Sequence, residues 1–151
     1  NRAEFIAALT EIAQDLAKQI ARDGEGATKL ITVNVTGAKT PEQARAAART
    51  IAGSSLVKTA MHGADPNWGR ILAAAGRSGA QFAQQRALVT VQGVQIYNGQ
   101  PLPFDAAELS AKLREPEVLL AVDLQNGEAA GTAWGCDLSS DYVRINADYT
   151  T

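Results

Sequence analysis

The sequence contains few of the residues on which many functional sites depend. Of its 151 residues 5% are aromatic, and there is one cysteine and one histidine. A single cysteine, Cys136, cannot form an internal disulfide, which excludes a disulfide-stabilised secreted domain and predicts a reducing, cytoplasmic compartment. One histidine and one cysteine far apart in the chain do not form a zinc-ligand pattern, so no metal site is expected.

Long apolar runs and basic clusters are also missing. The longest apolar run, residues 71–75, is far shorter than the ~20 residues that cross a bilayer, so we expect no membrane segment. The 14 Lys and Arg residues are spread among 16 Asp and Glu residues, which gives no basic patch for a nucleic acid. The glycine-rich motifs that bind nucleotide phosphates are absent, so no nucleotide cofactor is predicted.

The residues that are present predict one domain over residues 1–151, since 46% are hydrophobic and 20% are charged. Apolar residues recur at steps of three and four between Arg2 and Arg22, which predicts an amphipathic helix. Residues 28–37 alternate between apolar and polar, as in a half-buried strand. Cap residues and periodicity predict further helices over residues 40–52, 54–61, 67–77, 105–114 and 140–147.

The second half of the chain adds strand-like segments with turn signals. Residues 88–97 resemble a strand and are followed by Asn98-Gly99, a hairpin signal. Residues 118–124 and 129–136 are predicted to pair as a hairpin around Asn126-Gly127. Helices interleaved with hairpins predict an α/β or α+β class with a partly antiparallel sheet.

The first candidate for chemistry is Glu25, which lies between two glycines at the junction of the first helix and the first strand. A sharp turn at Gly24 and Gly26 would present the carboxylate with little steric obstruction, as a site for a substrate amine requires. The same pattern is typical of a solvated turn glutamate, so the residues alone leave both interpretations open.

The second candidate is the segment Met-His-Gly-Ala-Asp-Pro-Asn-Trp-Gly-Arg at residues 61–70, around a predicted helix N-terminus. Such a segment could bind an anion. In the structural alternative Asp65 caps the helix, Trp68 packs in the core and Arg70 pairs with a carboxylate. Spacing favours the structural alternative, and no Ser or Cys lies beside His62 to suggest a catalytic triad.

The third candidate is the polar segment Asn-Ala-Asp-Tyr-Thr-Thr at residues 146–151, which follows directly on the last predicted helix. Most segments of this kind fray. Tyr149 is an argument for some docking onto the rest of the protein.

Three segments together carry a resemblance to a known family. They are Gly-Glu-Gly-Ala-Thr-Lys at 24–29, Gly-Ala-Asp-Pro-Asn-Trp-Gly-Arg-Ile at 63–71, and Gly-Thr-Ala-Trp-Gly-Cys-Asp-Leu at 131–138, continued by Tyr-Val-Arg-Ile-Asn-Ala-Asp-Tyr-Thr-Thr at 142–151. In order and spacing they resemble the C-terminal half of ornithine acetyltransferases, which are glutamate N-acetyltransferases. The resemblance covers essentially the whole chain and identifies it as the C-terminal part of the β chain.

The resemblance implies a precursor that cleaves itself before a threonine, which becomes the N-terminal nucleophile of the β chain. The free amine beside such a threonine can act as its base. In this family the acetyl group passes from N-acetylornithine to the threonine and then to glutamate, and bifunctional members also use acetyl-CoA. The cleavage motif Ala-Thr-Met-Leu is absent from this sequence. We therefore expect the nucleophile upstream and no catalytic residue within these 151 residues.

The resemblance also implies a fold, partners and a site. The expected fold is an α/β layered sandwich with helices outside stacked mixed or antiparallel sheets. It is assembled with the α chain of the same precursor into an α2β2 unit, and no cofactor is implied beyond acetyl-CoA as a substrate. Residue by residue, Glu25, Asn146 and Thr151 match the family's substrate-binding positions, whereas His62 and Asp65 are interpreted as structural.

Two alternatives to the transferase remain open at the level of sequence. One is a related self-cleaving aminopeptidase or amidase, in which water accepts the acyl group. The other is a noncatalytic module that kept the fold without the nucleophile. The glutamate-containing loop and the polar tail favour the transferase. Members of the family with and without acetyl-CoA as a donor share these motifs.

Overall fold

The computed structural model describes residues 1–149, and Thr150 and Thr151 lie outside the described part. Within it are six α-helices, one short 3₁₀ helix and five β-strands. The helices are α1 (Arg2–Arg22), α2 (Pro41–Ala52), α3 (Ser55–His62), α4 (Trp68–Gly76), α5 (Ala106–Lys112) and α6 (Ser140–Asp148), and the 3₁₀ turn is Gln84–Arg86. The strands are β1 (Leu30–Ala38), β2 (Leu88–Val91), β3 (Val94–Asn98), β4 (Glu117–Asp123) and β5 (Ala129–Cys136).

The helices begin where side-chain oxygens can accept hydrogen bonds from the first unpaired backbone amides. Thr40 caps α2 through the backbone amide of Gln43, as the sequence predicts. The prediction that Asp65 caps α4 is wrong: the cap is Asn67, whose side chain accepts from the amide of Arg70. Asp65 instead accepts a hydrogen bond from the Asn67 side chain. The helix therefore starts two residues later than a cap at Asp65 would place it.

The five strands form one mixed sheet in the order β3-β2-β4-β1-β5. Strand β1 is parallel to β4 and antiparallel to β5, while β2 is antiparallel to both β3 and β4. The predicted α/β class with a partly antiparallel sheet is therefore confirmed.

The predicted hairpin between the last two strands is wrong, because β1 lies between β4 and β5. After β4 the chain crosses the end of β1, where the amide of Leu124 donates to Thr36 O and that of Asn126 donates to Gly37 O. Strand β1 is the strand richest in buried residues, and a place inside the sheet gives its backbone a partner on each side. Turn chemistry at Asn126-Gly127 fixes the direction of the chain but not its pairing partner.

The one hairpin of the described sheet joins β2 and β3, and its turn is not the predicted one. The turn residues are Gln92 and Gly93, with φ angles of 49° and 78°, values that suit a tight hairpin turn. Asn98-Gly99 also reverses the chain but leads only to an isolated bridge between Tyr97 and Pro101. Proline has no N–H to continue the pairing, so no strand follows.

The core lies between one face of the sheet and the helices. In register, Ile31 faces Val118 and Val33 faces Leu120 across the parallel pair, and all four side chains are buried. Helix α2 packs across β1 and β5 through small residues, and α4 packs beside it against β2. A Cβ on Gly131 would come within 2.7 Å of the backbone nitrogen of Arg45, so α2 touches β5 almost directly. This is the close backbone approach that the scarcity of aromatic residues favours.

The opposite face of the sheet is partly open and more polar. Asn34 and Thr132 lie side by side on it, with the threonine hydroxyl donating to the amide oxygen at 2.9 Å. Leu119 is 41% exposed on the same face. The second sheet that the resemblance implies is not found within residues 1–149.

Helix α1 is the predicted amphipathic helix, but its apolar stripe is not part of the core. None of its residues is buried. Its large apolar residues Phe5, Ile6, Leu9, Ile12, Leu16 and Ile20 are each at least 51% exposed. The helix touches the sheet near Trp134, where the ammonium of Lys18 lies 5.6 Å from the centre of the ring. No helix within residues 1–149 combines the length and apolar character that a membrane span requires.

Replacing Gly131 by alanine should destabilise the protein by about 1–3 kcal/mol, because the new methyl group meets the backbone of α2 rather than a movable side chain. Gly76→Ala is the matched control, since a Cβ there has no neighbour within 4 Å. The measurement is equilibrium urea unfolding followed by tryptophan fluorescence. Equal stability of the two variants would contradict the packing of α2 on β5.

Candidate functional site

The candidate site is centred on a tight turn that carries Glu25 between α1 and β1. The amide of Ala27 donates to Gly24 O at 2.9 Å, which closes the turn. Gly26 has a φ of 68°, in the left-handed region that favours glycine. A Cβ on Gly26 would also lie 2.7 Å from the backbone nitrogen of Tyr142. Glycine at this position is therefore required both by the turn and by the approach of α6.

The turn brings together two of the three predicted substrate-binding residues. Nδ2 of Asn146 donates to Oε2 of Glu25 at 2.6 Å, although the residues are 121 positions apart. The same nitrogen donates to the carbonyl of Tyr142 at 2.8 Å, which fixes the amide on α6. Both side chains are exposed, so a small polar molecule has access to them. The third predicted residue, Thr151, lies outside the described residues.

Beneath the turn lies the buried carboxylate of Asp137, at the end of β5. Its Oδ1 accepts from the backbone amides of Thr28 at 2.7 Å and Lys29 at 2.8 Å. Its Oδ2 accepts from the Thr28 hydroxyl at 2.6 Å and lies 2.7 Å from Nδ1 of His62. Since an ionised carboxylate only accepts, Nδ1 of His62 is the donor in this pair. Asp137 is 2% exposed, and each of its two carboxylate oxygens has two hydrogen-bond partners.

The second connection to the turn is Ser139, two residues further along. Its hydroxyl donates to Gly26 O at 2.6 Å. The same oxygen accepts from the amide of Tyr142 at 3.3 Å and so caps α6. Ser139 is 6% exposed. One buried hydroxyl therefore joins the Glu25 turn to the helix that carries Asn146.

Burial and hydrogen bonding oppose each other at Asp137. Burial, the largest influence, would raise the pKa of its carboxyl group, but the hydrogen bonds from Thr28, His62 and Lys29 together outweigh it and lower the pKa. The ammonium of neighbouring Lys29 has its pKa lowered, chiefly by burial, against the attraction of Asp137 and with the repulsion of Arg114. This ammonium donates to the carbonyls of Met61 at 2.6 Å and His62 at 3.2 Å, the C-terminal end of α3.

The segment at residues 61–70 divides between two roles. His62 is hydrogen-bonded to the buried Asp137 carboxylate, which in turn holds the backbone beside the Glu25 turn. Trp68 is partly buried and stacks on Tyr97 with ring centres 4.7 Å apart. The predicted pairing of Arg70 with a carboxylate is not found within residues 1–149. Its guanidinium donates instead to the carbonyl of Leu56 and the hydroxyl of Thr59. Within residues 1–149 no cluster of three His, Cys, Asp or Glu residues could hold a metal ion.

Sequence reasoning missed Asp137 and Ser139 as parts of this site. Both lie in the short connection Asp-Leu-Ser between β5 and α6. An aspartate directly after a strand, with a serine in a capping position two residues on, is a signal that could have marked the connection. What the sequence does not reveal is which distant loop these side chains reach.

The lowered pKa of Asp137 predicts that the folded protein loses the stabilisation from this carboxylate at acidic pH. In the unfolded chain an aspartate has a pKa of about 3.9. Because the pKa of Asp137 is lower in the folded protein, the carboxylate contributes its full stabilisation above the unfolded value. That stabilisation is lost as the pH falls through the folded-state pKa. Asp137→Asn should therefore cost about 1–3 kcal/mol of unfolding free energy at pH 7. The difference from the unmodified protein should shrink below about pH 4.

The measurement is urea unfolding at a series of pH values, with Asp15→Asn on the exposed face of α1 as the control. A difference in unfolding free energy between Asp137→Asn and the unmodified protein that stays constant down to pH 2 would contradict the lowered pKa of Asp137.

Comparison with known proteins places this chain in a family. A model described as the ArgJ family matches residues 1–151. The chain is 57% identical over 147 residues to the arginine biosynthesis bifunctional protein ArgJ of Thermus thermophilus, a match that covers 97% of this chain and 39% of that protein. The ArgJ protein of Deinococcus radiodurans is 56% identical over 148 residues, which cover 98% of this chain and 38% of that protein.

The fold is also that of a solved structure. The chain superposes on the crystal structure of the arginine biosynthesis bifunctional protein ArgJ from Bacillus halodurans with a TM-score of 0.94 and 50% identity, covering 97% of this chain and 70% of that chain. The present sequence spans about 39% of the length of the Thermus relative. Because the family model matches every residue and the relatives are more than half identical, the chain belongs to the ArgJ family.

Proposed function

We propose that this chain is part of an acetyltransferase that moves an acetyl group from N-acetylornithine to glutamate in arginine biosynthesis. The acetyl group is carried by a threonine in a part of the protein outside these 151 residues. The observation that carries the proposal is the 2.6 Å hydrogen bond between Glu25 and Asn146, because it joins two residues that the family resemblance had selected separately. The names of the relatives, arginine biosynthesis bifunctional protein, support the pathway.

The exposed pair has the chemistry that a small amino acid requires. Both substrates carry an ammonium or amine and an α-carboxylate, which need an anionic partner and hydrogen-bond donors. Among the described contacts of Glu25, Oε2 is engaged by Asn146 and Oε1 faces no hydrogen-bond donor, so Oε1 is the oxygen we assign to the substrate ammonium. A proton exchange between Glu25 and the amine is the second role that we assign to this carboxylate.

The tail completes the proposed site. Helix α6 carries Asn146 on its last turn and leads the chain towards Thr151. Thr151 lies outside the described residues and enters the proposal through the resemblance alone. Its hydroxyl would donate to, or accept from, the polar end of the substrate.

We further propose that an α chain of the same precursor covers this fragment in an α2β2 assembly in the cytoplasm. The support is the row of large apolar side chains along α1, which would be costly to leave in water over the length of a 21-residue helix. The partly open polar face of the sheet is a second surface without a partner in residues 1–149. Both surfaces fit a chain that spans about 39% of the Thermus relative.

The experiment that tests the function is acetyl transfer to glutamate by the full-length, self-cleaved protein, with N-acetylornithine and acetyl-CoA offered as separate donors. Transfer from N-acetylornithine supports the proposal. Transfer from acetyl-CoA as well would show that the enzyme uses both donors and is bifunctional. Hydrolysis of N-acetylornithine without transfer would favour the hydrolase. A folded, cleaved protein with neither activity would favour a noncatalytic module.

Replacing Glu25 by glutamine in the full-length protein should lower kcat/KM for transfer by about 10- to 100-fold, because the substrate ammonium loses a charged partner. Steady-state rates with both substrates varied provide the measurement. Glu128→Gln, on an exposed connection between β4 and β5, is the control and should change neither kcat nor KM. Near-normal turnover and affinity in the Glu25 variant would refute a direct role.

Removing Thr150 and Thr151 from the full-length protein should raise KM by about 10-fold through lost hydrogen bonds, without lowering the melting temperature. The melting temperature and the kinetic constants are measured on the same preparation. Unchanged KM values in the truncated protein would remove the tail from the site.

A further inference from the structure

The Glu25–Asn146 pair cannot maintain its own geometry. Both side chains are exposed, and a hydrogen bond between exposed side chains contributes little net stability. Helix α6 has no buried residue with which to pack against the rest of the protein. Something other than the pair and the helix face must therefore hold Asn146 opposite Glu25.

We propose that Asp137 and Ser139 are positioning residues, which hold the Glu25 turn and helix α6 in the arrangement that binds substrate. We call their hydrogen bonds to residues 26–29 the Asp137–Ser139 clamp. The inference rests on the proposed function and deepens it, since the clamp acts on the same substrate through Glu25 and Asn146.

Ser139 sets the distance between the turn and the helix. Its hydroxyl is a donor to Gly26 O at 2.6 Å and an acceptor from Tyr142 N at 3.3 Å, so it bonds to both elements at once. Gly26 follows Glu25 directly, and Tyr142 is the residue whose carbonyl accepts from Asn146. A displacement at Ser139 is therefore passed to both members of the pair within a few bonds.

Asp137 fixes the other end of the turn. It holds the amides of Thr28 and Lys29 and the hydroxyl of Thr28 at 2.6–2.8 Å. Because Asp137 and Ser139 are two residues apart on one connection, residues 26–29 are held at both ends by one short piece of chain. This arrangement limits how far Glu25 can move relative to the first turn of α6.

Positioning of this kind matters because binding sites lose activity when groups move by ~1 Å. Without the clamp the turn and the first turn of α6 would lose the hydrogen bonds that join them and would no longer present Glu25 and Asn146 together. If one site binds both amino acids in turn, the loss falls on the donor and on the acceptor alike. A residue with a purely structural role would instead lower stability and leave the kinetic constants of the folded enzyme unchanged.

The test uses the full-length, self-cleaved enzyme with Ser139→Ala as the main variant. We expect KM for N-acetylornithine and for glutamate to rise together by about 10-fold at a temperature well below unfolding. Ser139→Thr keeps a hydroxyl that can both donate and cap, so it should restore both constants to within about threefold of normal. Asp137→Asn is a second variant, expected to raise both KM values in the same direction.

The matched control is Asp105→Ala, which removes the N-cap of α5 and should cost similar stability without changing either KM. Unchanged KM values in Ser139→Ala and Asp137→Asn, beside an impaired Glu25→Gln, would overturn the clamp and leave the proposed function standing. No transfer by the unmodified enzyme would instead be a failure of the proposed function. A KM rise in Asp105→Ala as large as that in Ser139→Ala would overturn the clamp by showing a general effect of instability.

Discussion

A buried carboxylate is stable only where hydrogen bonds replace the water it has lost, and Asp137 meets that condition through the backbone of Thr28 and Lys29. The partner amides belong to the segment that enters β1, so the electrostatic requirement of one side chain fixes the path of the chain before that strand. His62 and the Thr28 hydroxyl complete the arrangement. The exposed Glu25 turn depends on this buried centre for its shape.

The same constraint explains why a weakly packed helix can carry part of the candidate site. Helix α6 is exposed along its length, yet its first turn is bonded to the Glu25 turn through Ser139 and lies against Gly26 without an intervening Cβ. Most of the hydrophobic burial therefore lies away from the Glu25 turn. The apolar face of the sheet and helices α2 to α5 supply most of the hydrophobic burial, and a few buried polar groups set the geometry of the surface above them and add to stability.

Much of the local structure was predictable from the sequence, because periodicity and capping are local properties. The helix from Arg2 to Arg22, the cap at Thr40 and the alternation of β1 all follow from neighbouring residues. The insertion of β1 between β4 and β5 was not predictable, because a turn signal such as Asn126-Gly127 does not specify which distant strand pairs with the strands beside it. For the same reason the residue patterns around Glu25 and Asn146 left their roles open, only the family resemblance assigned both to a substrate site, and Asp137 was missed.

The proposed function requires Glu25 and Asn146 to bind the amino-acid substrate together. A crystal structure of the full-length enzyme with glutamate or N-acetylornithine bound tests it most directly. We expect a substrate nitrogen within about 3 Å of the Glu25 carboxylate, with Asn146 hydrogen-bonded to the same molecule. A substrate bound elsewhere, with the Glu25–Asn146 hydrogen bond unchanged and in contact only with water, would contradict it.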